Sequence, residues 1–224
     1  QITYVQFQTF LAAPDGFEDA RWWEGMPDEY KKQEMNQQRT KISNVPRDSV
    51  SWYQSVAFAR WLDAKYRALG LFAKLPPLTP NPSPTQAGRG ESRHDWEIRL
   101  PTEWEWQWVA QGGAKELAYP WGDWQEGFAN TSEAGLNRTT AVGMYPHGAA
   151  ECGALDAAGN LWEWCLNDKN KVDQVSISST EYKVLRGGSF SSLRSLAASS
   201  SRNHSNPHYR YYDPGLRLVV SSPP

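Results

Sequence analysis

Two carboxylates stand seven residues apart across a Gly-Asn turn: Asp156 and Glu163, in the run Asp156-Ala-Ala-Gly159-Asn160-Leu161-Trp162-Glu163-Trp164. That spacing can bring both acids and the carbonyls between them round one hard cation, since calcium takes about six to eight oxygens in a flexible shell. Thiol chemistry has less to build on. Cys152 and Cys165 are the only cysteines, with no second pair, so neither a zinc knuckle nor a disulfide scaffold is available and two free thiols are expected. Among His94, His147, His204 and His208 only the last two have a ligand-like separation, and in a Tyr-rich stretch such a pair reads as a surface that meets a ligand.

The elements that must position these groups are marked by start and stop signals. Thr3 with Gln6, Ser51 with Gln54, and Thr102 with Glu105 each form a capping box ahead of apolar residues at helical spacing. They predict helices over Thr3–Ala13, from Ser51 towards Gly70, and from Thr102 to Gly112-Gly113. Strand-like runs fall at Ala141–Tyr145, Tyr182–Leu185 and Leu216–Val220. Twelve tryptophans, with aromatics at 13% against hydrophobics at only 39%, predict a core of large rings in loop-rich chain. Trp52, Trp104, Trp162 and Trp164 are its expected members. The segment 75–94 is crowded with proline and then with glycine and charge, so a flexible surface insert is expected there.

A chain of 224 residues suits one domain, 1–224, with a sizeable core. A formal net charge of −2, without a basic stripe, argues against nucleic acid and anionic membrane as partners. No apolar run approaches the length of a membrane span, so a soluble, monomeric domain without membrane insertion is expected. The chain opens on Gln1 and not Met, as a piece of a longer protein would. No address signal names a compartment; the cytoplasm is the expectation and a cell surface the alternative.

Taken in order, Arg99-Leu-Pro-Thr-Glu-Trp-Glu105, Tyr119-Pro-Trp-Gly-Asp123, Ala129-Asn130, Val142-Gly143, the Asp156 to Trp164 run, Leu185-Arg-Gly-Gly-Ser189 and Gly215-Leu-Arg217 resemble the formylglycine-generating enzyme and sulfatase-modifying factor family. The resemblance covers nearly the whole chain outside the Pro-rich insert. It implies an α+β, C-type lectin-like fold of the formylglycine-generating-enzyme subtype, with little regular secondary structure. It also implies a structural calcium held by side-chain oxygens of Asp156 and Glu163 and by the carbonyls of Gly159 and Leu161. A second calcium would begin at Asn130 and Thr131, where the chain that follows is shorter than the family pattern. The family's oxidases bind copper through two cysteines just after Arg-Gly-Gly-Ser, because soft thiolates hold that metal. Here Phe190 to Ser201 contains no thiol, and Cys152 and Cys165 match neither position. No copper and no catalysis are therefore expected, with a divergent oxidase, or a sensor module fused to an upstream effector, as alternatives.

The C-terminal stretch gives a positive reason for another role. From Gly187 onward there is no Lys, Glu, Gln, Met or Trp, while Ser, Asn, His and Tyr crowd the region up to Asp213. Those types share codons ending in a pyrimidine and are what scrambling the adenines of Asn codons would yield. The stretch resembles the variable region of a diversity-generating retroelement target protein, at about 189–213. Tyr gives rigid amphipathic contact area, and Ser and Asn give adaptable hydrogen bonds. The expected ligand-binding residues are Phe190, Ser191, Ser192, Ser201, Asn203, His204, Ser205, Asn206, His208, Tyr209, Tyr211, Tyr212 and Asp213, facing an unidentified macromolecule, expected to be a protein.

Overall fold

The three capping boxes form as the spacing predicts, each with its side-chain and backbone bonds made in both directions. A computed structural model describes residues 1–75, 96–171, 173 and 175–224. The Pro-rich insert expected at 75–94 lies, apart from Leu75, outside the described residues, as does His94. Helix α1 spans Tyr4–Ala12, α2 spans Trp52–Ala68 and α3 spans Glu103–Ala110. Helix α2 ends where Gly70 turns left-handed at φ 63°, a conformation that costs glycine no Cβ strain.

The strands are short. β1 (Glu97–Arg99) pairs antiparallel with β6 (Val219–Ser221). A second sheet has the order β4-β3-β2-β5, built from β2 (Trp162–Asp168), β3 (Lys183–Arg186), β4 (Asn203–Ser205) and β5 (Pro214–Gly215). Only β2 with β5 runs parallel; the other pairs in that sheet are antiparallel. The strand expected at Tyr182–Leu185 is β3, shifted by one residue. The one expected at Leu216–Val220 begins only at Val219, because Pro214–Gly215 makes the pairing with β2 first. Ala141–Tyr145 forms no strand: Gly143 sits at φ 78° in a turn, and its N–H goes to Asp156 Oδ2 at 2.7 Å.

Aromatic rings fill the main core. Phe7 stacks on Phe58 at 5.0 Å, Phe10 meets both edge-on, and Trp23 closes on Phe17. Three indole N–H groups deep in the core find carbonyls: Trp52 to Cys165, Trp164 to Val50 and Trp23 to Phe17. Such pairing is what makes a large polar-tipped ring affordable inside. Trp52 also carries the Lys183 ammonium over its face at 4.0 Å, and that buried cation is ion-paired to Asp168 at 2.5 Å. Trp104 is not a core residue: it and Trp108, one helical turn apart on α3, are exposed, whereas Trp106 on the opposite face is buried. Residues two apart on a helix point nearly oppositely, so only one face of Trp-x-Trp-x-Trp can be covered.

Arg99 and Glu105 lock the start of α3 to β1 through two parallel bonds of 2.7 and 2.8 Å. Burial opposes ionisation of Glu105, but Arg99 and the Thr102 amide outweigh it and hold the carboxyl at about 2. A depressed folded pKa gives stability that is full above the unfolded value of about 4.3 and is lost as pH falls towards 2. Glu105→Gln is therefore expected to cost about 2 kcal/mol at pH 7 after allowance for solvent screening, and almost nothing near pH 2. Urea melts of both proteins across that range check it; a pH-independent difference contradicts it.

Candidate functional site

The Gly-Asn turn is built from left-handed residues. Asp156, Gly159 and Asn160 have φ of 53°, 77° and 68°, which folds the strand entry back on itself. Gly159 is required there: a Cβ would lie 2.4 Å from the Asn130 carbonyl oxygen as well as at a disfavoured φ. The curl aims three carbonyls, of Asp156, Gly159 and Leu161, at one point. The Gln1 side-chain Nε2 occupies it, 3.4, 3.5 and 3.2 Å from the three oxygens.

The two acids that flank this cradle are turned to other tasks. The buried Asp156 carboxylate accepts the Gly143 N–H, and burial pushes its pKa up. Glu163 is fully buried and saturated: Arg217 reaches both of its oxygens at 2.8 and 2.9 Å, and Trp106 donates to Oε2 at 2.7 Å. Burial disfavours its charge, yet Arg217 more than compensates and keeps the carboxyl below its ordinary range. An all-oxygen donor set with three convergent carbonyls fits a hard cation, and offers nothing to a thiol-seeking metal. It is the Asp156 carbonyl, and not its carboxylate, that joins Gly159 and Leu161. At the second expected site, Asn130 and Thr131 are buried and Asn130 Oδ1 has no hydrogen-bond partner among the described residues. The nearby Glu133 carboxylate instead accepts the Arg194 N–H.

The same turn anchors the C-terminal stretch. Gly159 N–H donates to the Gly187 carbonyl at 2.7 Å, and Phe190 N–H donates to the Asn160 carbonyl at 2.9 Å. At the far end Trp162 N–H donates to the Asp213 carbonyl, also at 2.9 Å. Between these ties Ser191, His204, Tyr211 and Tyr212 are exposed, and Ser201, Asn203, Ser205, Asn206, His208, Tyr209 and Asp213 are half-buried. Phe190 and Ser192, expected at the surface, are buried: the Ser192 hydroxyl accepts the Ser189 N–H and closes a tight turn that tucks both inward.

The surface divides into regions. Asn203, His204 and Ser205 form β4, the sheet edge, where His204 Nε2 lies 2.9 Å from Lys169 Nζ and the ring meets Tyr182. Partial burial, then Lys169 and Arg202, lower the His204 pKa, so the imidazole accepts from the lysine. His208 stacks on Tyr30 at 5.1 Å, and the neighbouring Pro207 carbonyl accepts the Trp52 N–H at the start of α2. Tyr209 packs against the aromatic core. The pair His204 and His208 is thus split, one on the sheet edge and one on the helix start.

Tyr211, Tyr212, Phe190 and Ser191 share an open cleft of about 590 Å³ whose other wall is Asn36, Gln37 and Arg39. Sequence patterning did not point to that wall, since Gln33 to Lys41 is polar and aperiodic. Cys165 is buried in β2, where burial raises its thiol pKa well above the ordinary value, and Cys152 is exposed; both are free.

Residues 1–222 match the domain family described as sulfatase-modifying factor enzyme 1-like. The chain belongs to that family. Similar proteins include hercynine oxygenase of Mycobacterium tuberculosis, at 26% identity over 97% of this chain and 50% of that protein. Formylglycine-generating enzyme of Thermomonospora curvata is 28% identical over 77% of this chain and 54% of its own length. The chain thus spans about half the length of these curated relatives. Among solved structures, Treponema denticola variable protein 1 superposes with a TM-score of 0.66 at 21% identity, covering all of this chain and 82% of that one. The likeness establishes the C-type lectin-like fold of this sulfatase-modifying-factor-type domain. The family includes enzymes; among the described residues, no group of three or more His, Cys, Asp or Glu could hold a metal ion.

Proposed function

We propose that this domain is a non-catalytic binding module whose segment from about Ser189 to Asp213 is a diversified surface for a protein partner. The observation that carries the reading is the match between composition and depth. The stretch rich in Ser, Asn, His and Tyr is mostly exposed or half-buried, and it is bracketed by the buried framework Lys183–Ser189 and Pro214–Leu216. A surface meant to change needs ends that do not, and hydrogen bonds from the Gly-Asn turn and β2 fix both. The fold shared with a protein named as variable is in keeping with this. The test is the adjoining DNA: a near-copy of the bases encoding this stretch, differing at adenines and lying beside a reverse transcriptase, is the expected finding. A flanking region with neither overturns the retroelement assignment.

The second reading, a divergent oxidase, draws on the enzymes among the relatives. It places a copper site where this chain has serine, and the thiol nearest the motif, Cys165, is buried in β2. Incubation with copper and a Cys-x-Pro-x-Arg peptide is expected to give no aldehyde by mass spectrometry. Turnover that is lost on mutating Cys152 or Cys165 contradicts the binding-module reading.

With the Gln1 amide displaced from it, the cradle of Asp156, Gly159 and Leu161 carbonyls is proposed to hold a structural calcium, with the carboxylates of Asp156 and Glu163 supplying negative charge near it. Its role is to stiffen the turn that anchors the surface. A ligand bound only by the folded form raises stability by mass action, about 2.7 kcal/mol at a hundred times its dissociation constant. Chelation is therefore expected to lower the melting temperature by about 5–10 °C, reversed by calcium and not by magnesium. Identical melts with and without chelator contradict the site. No cation is proposed at Asn130 and Thr131, where Asn130 Oδ1 and Thr131 Oγ1 are both buried and without a hydrogen-bond partner among the described residues.

A further inference from the structure

The cleft beside Tyr211 and Tyr212 is half variable and half fixed. Arg39, on the fixed wall, lies with its guanidinium carbon 4.9 Å from the Tyr212 ring centre and 5.7 Å from that of Phe190. Stacking occupies the faces of the guanidinium and leaves its N–H edge free. Arg39 is exposed, and among the described residues its side chain makes no hydrogen bond and no ion pair. The two walls are stitched together: Asn36 Nδ2 donates to the Arg210 carbonyl at 2.6 Å, and the Arg210 guanidinium donates to the Glu34 carbonyl. Among the described residues no carboxylate lines the cleft; the acid beneath it, Asp48, is fully buried, bonded to Ser49 and to the Arg39 backbone, and feels the Arg39 charge from behind. The open side of the cleft therefore presents positive charge next to aromatic faces, with one buried acid behind it.

We propose that Arg39 is a fixed anchor of the binding surface that takes the carboxylate of an acidic side chain on the protein partner, whatever the variable residues around it recognise. This deepens the binding-module reading and rests on it. A planar fork matches a planar carboxylate with two parallel hydrogen bonds, and stacking holds the fork in place before the partner arrives. The open shape admits a side chain presented from a partner's surface; an enclosed pocket would suit a free metabolite. The Gln37 amide, on the same wall, stands by to meet the neutral atoms around the acid.

The test uses the whole protein, with N-acetyl triglutamate amide and methyl phosphate as probes and the arginine Nε–H resonances as readout. Titration with the peptide is expected to shift the Arg39 signal. Arg39→Lys, which keeps the charge and loses the fork, is expected to bind the peptide about tenfold more weakly while melting within a few degrees of the parent. No shift at Arg39 overturns the proposal. So does an Arg39→Lys variant that binds equally well, which would mark a diffuse charge effect, and so does methyl phosphate outcompeting the peptide. The failures can be separated. If the peptide ignores Arg39 while variants of the Tyr211 and Tyr212 surface still capture protein targets, the anchor is wrong and the binding-module reading stands. If neither occurs, both fall.

Discussion

Replacing Glu163 by alanine is expected to destabilise the protein by about 3–5 kcal/mol, a large part of the ~5–15 kcal/mol that holds a domain together. The carboxylate is fully buried between Arg217 and Trp106, which spend three hydrogen bonds on it. Its removal strands a mostly buried guanidinium and a buried indole N–H without their acceptor. The loss reaches beyond one ion pair, because Glu163 sits on β2 opposite Arg186 and beside Gly215, where three strands meet. Removing both charges together, in Glu163→Leu with Arg217→Leu, is expected to cost clearly less than the sum of the single changes. Urea unfolding of the three variants checks this; a single alanine variant within about 1 kcal/mol of the parent contradicts it.

The second large effect separates core from surface. Trp164→Ala is expected to cost about 3–5 kcal/mol, since it empties a fully buried site and leaves the Val50 carbonyl without its donor. Tyr211→Ala with Tyr212→Ala should cost only about 1–2 kcal/mol, mostly the lost stacking of Tyr212 on Arg39. The same pair of changes is expected to remove about 2 kcal/mol or more of partner binding. Tyr209 belongs between these classes because its ring packs against the core. Thermal melts of the three proteins are the measurement, and a double tyrosine variant that unfolds as early as the tryptophan variant contradicts the placement of the surface.

What could be read before folding was local. Capping boxes and left-handed glycines act within a few residues, so the starts of α1, α2 and α3 and the turn at Gly70 were legible. The strand at Ala141–Tyr145 was misread because its alternation is overridden from afar, by an Asp156 carboxylate that takes the Gly143 amide. Trp104 was misplaced for a similar reason. A helix carrying Trp104, Trp106 and Trp108 has two aromatic faces, and contacts distant in sequence turn Trp106 inward: Glu163 on β2 takes its N–H, and Ala157, Cys165 and Val184 pack with its ring. In the site, motif spacing located the Gly-Asn turn, yet it could not show that the Asp156 carbonyl joins those of Gly159 and Leu161 while its carboxylate accepts the Gly143 amide. Arg39 was invisible because its role comes from two rings about 150 and 170 residues later.

The central claim, that this framework carries a surface free to change, is tested most directly by a displayed library. Ser191, Asn203, His204, Ser205, Tyr211 and Tyr212 would be randomised together and the population sorted first for folding and then for capture of a chosen protein. The account expects most members to fold and the captured ones to differ from the parent at these six positions alone. A library in which folding survives only when the parental residues return would contradict it.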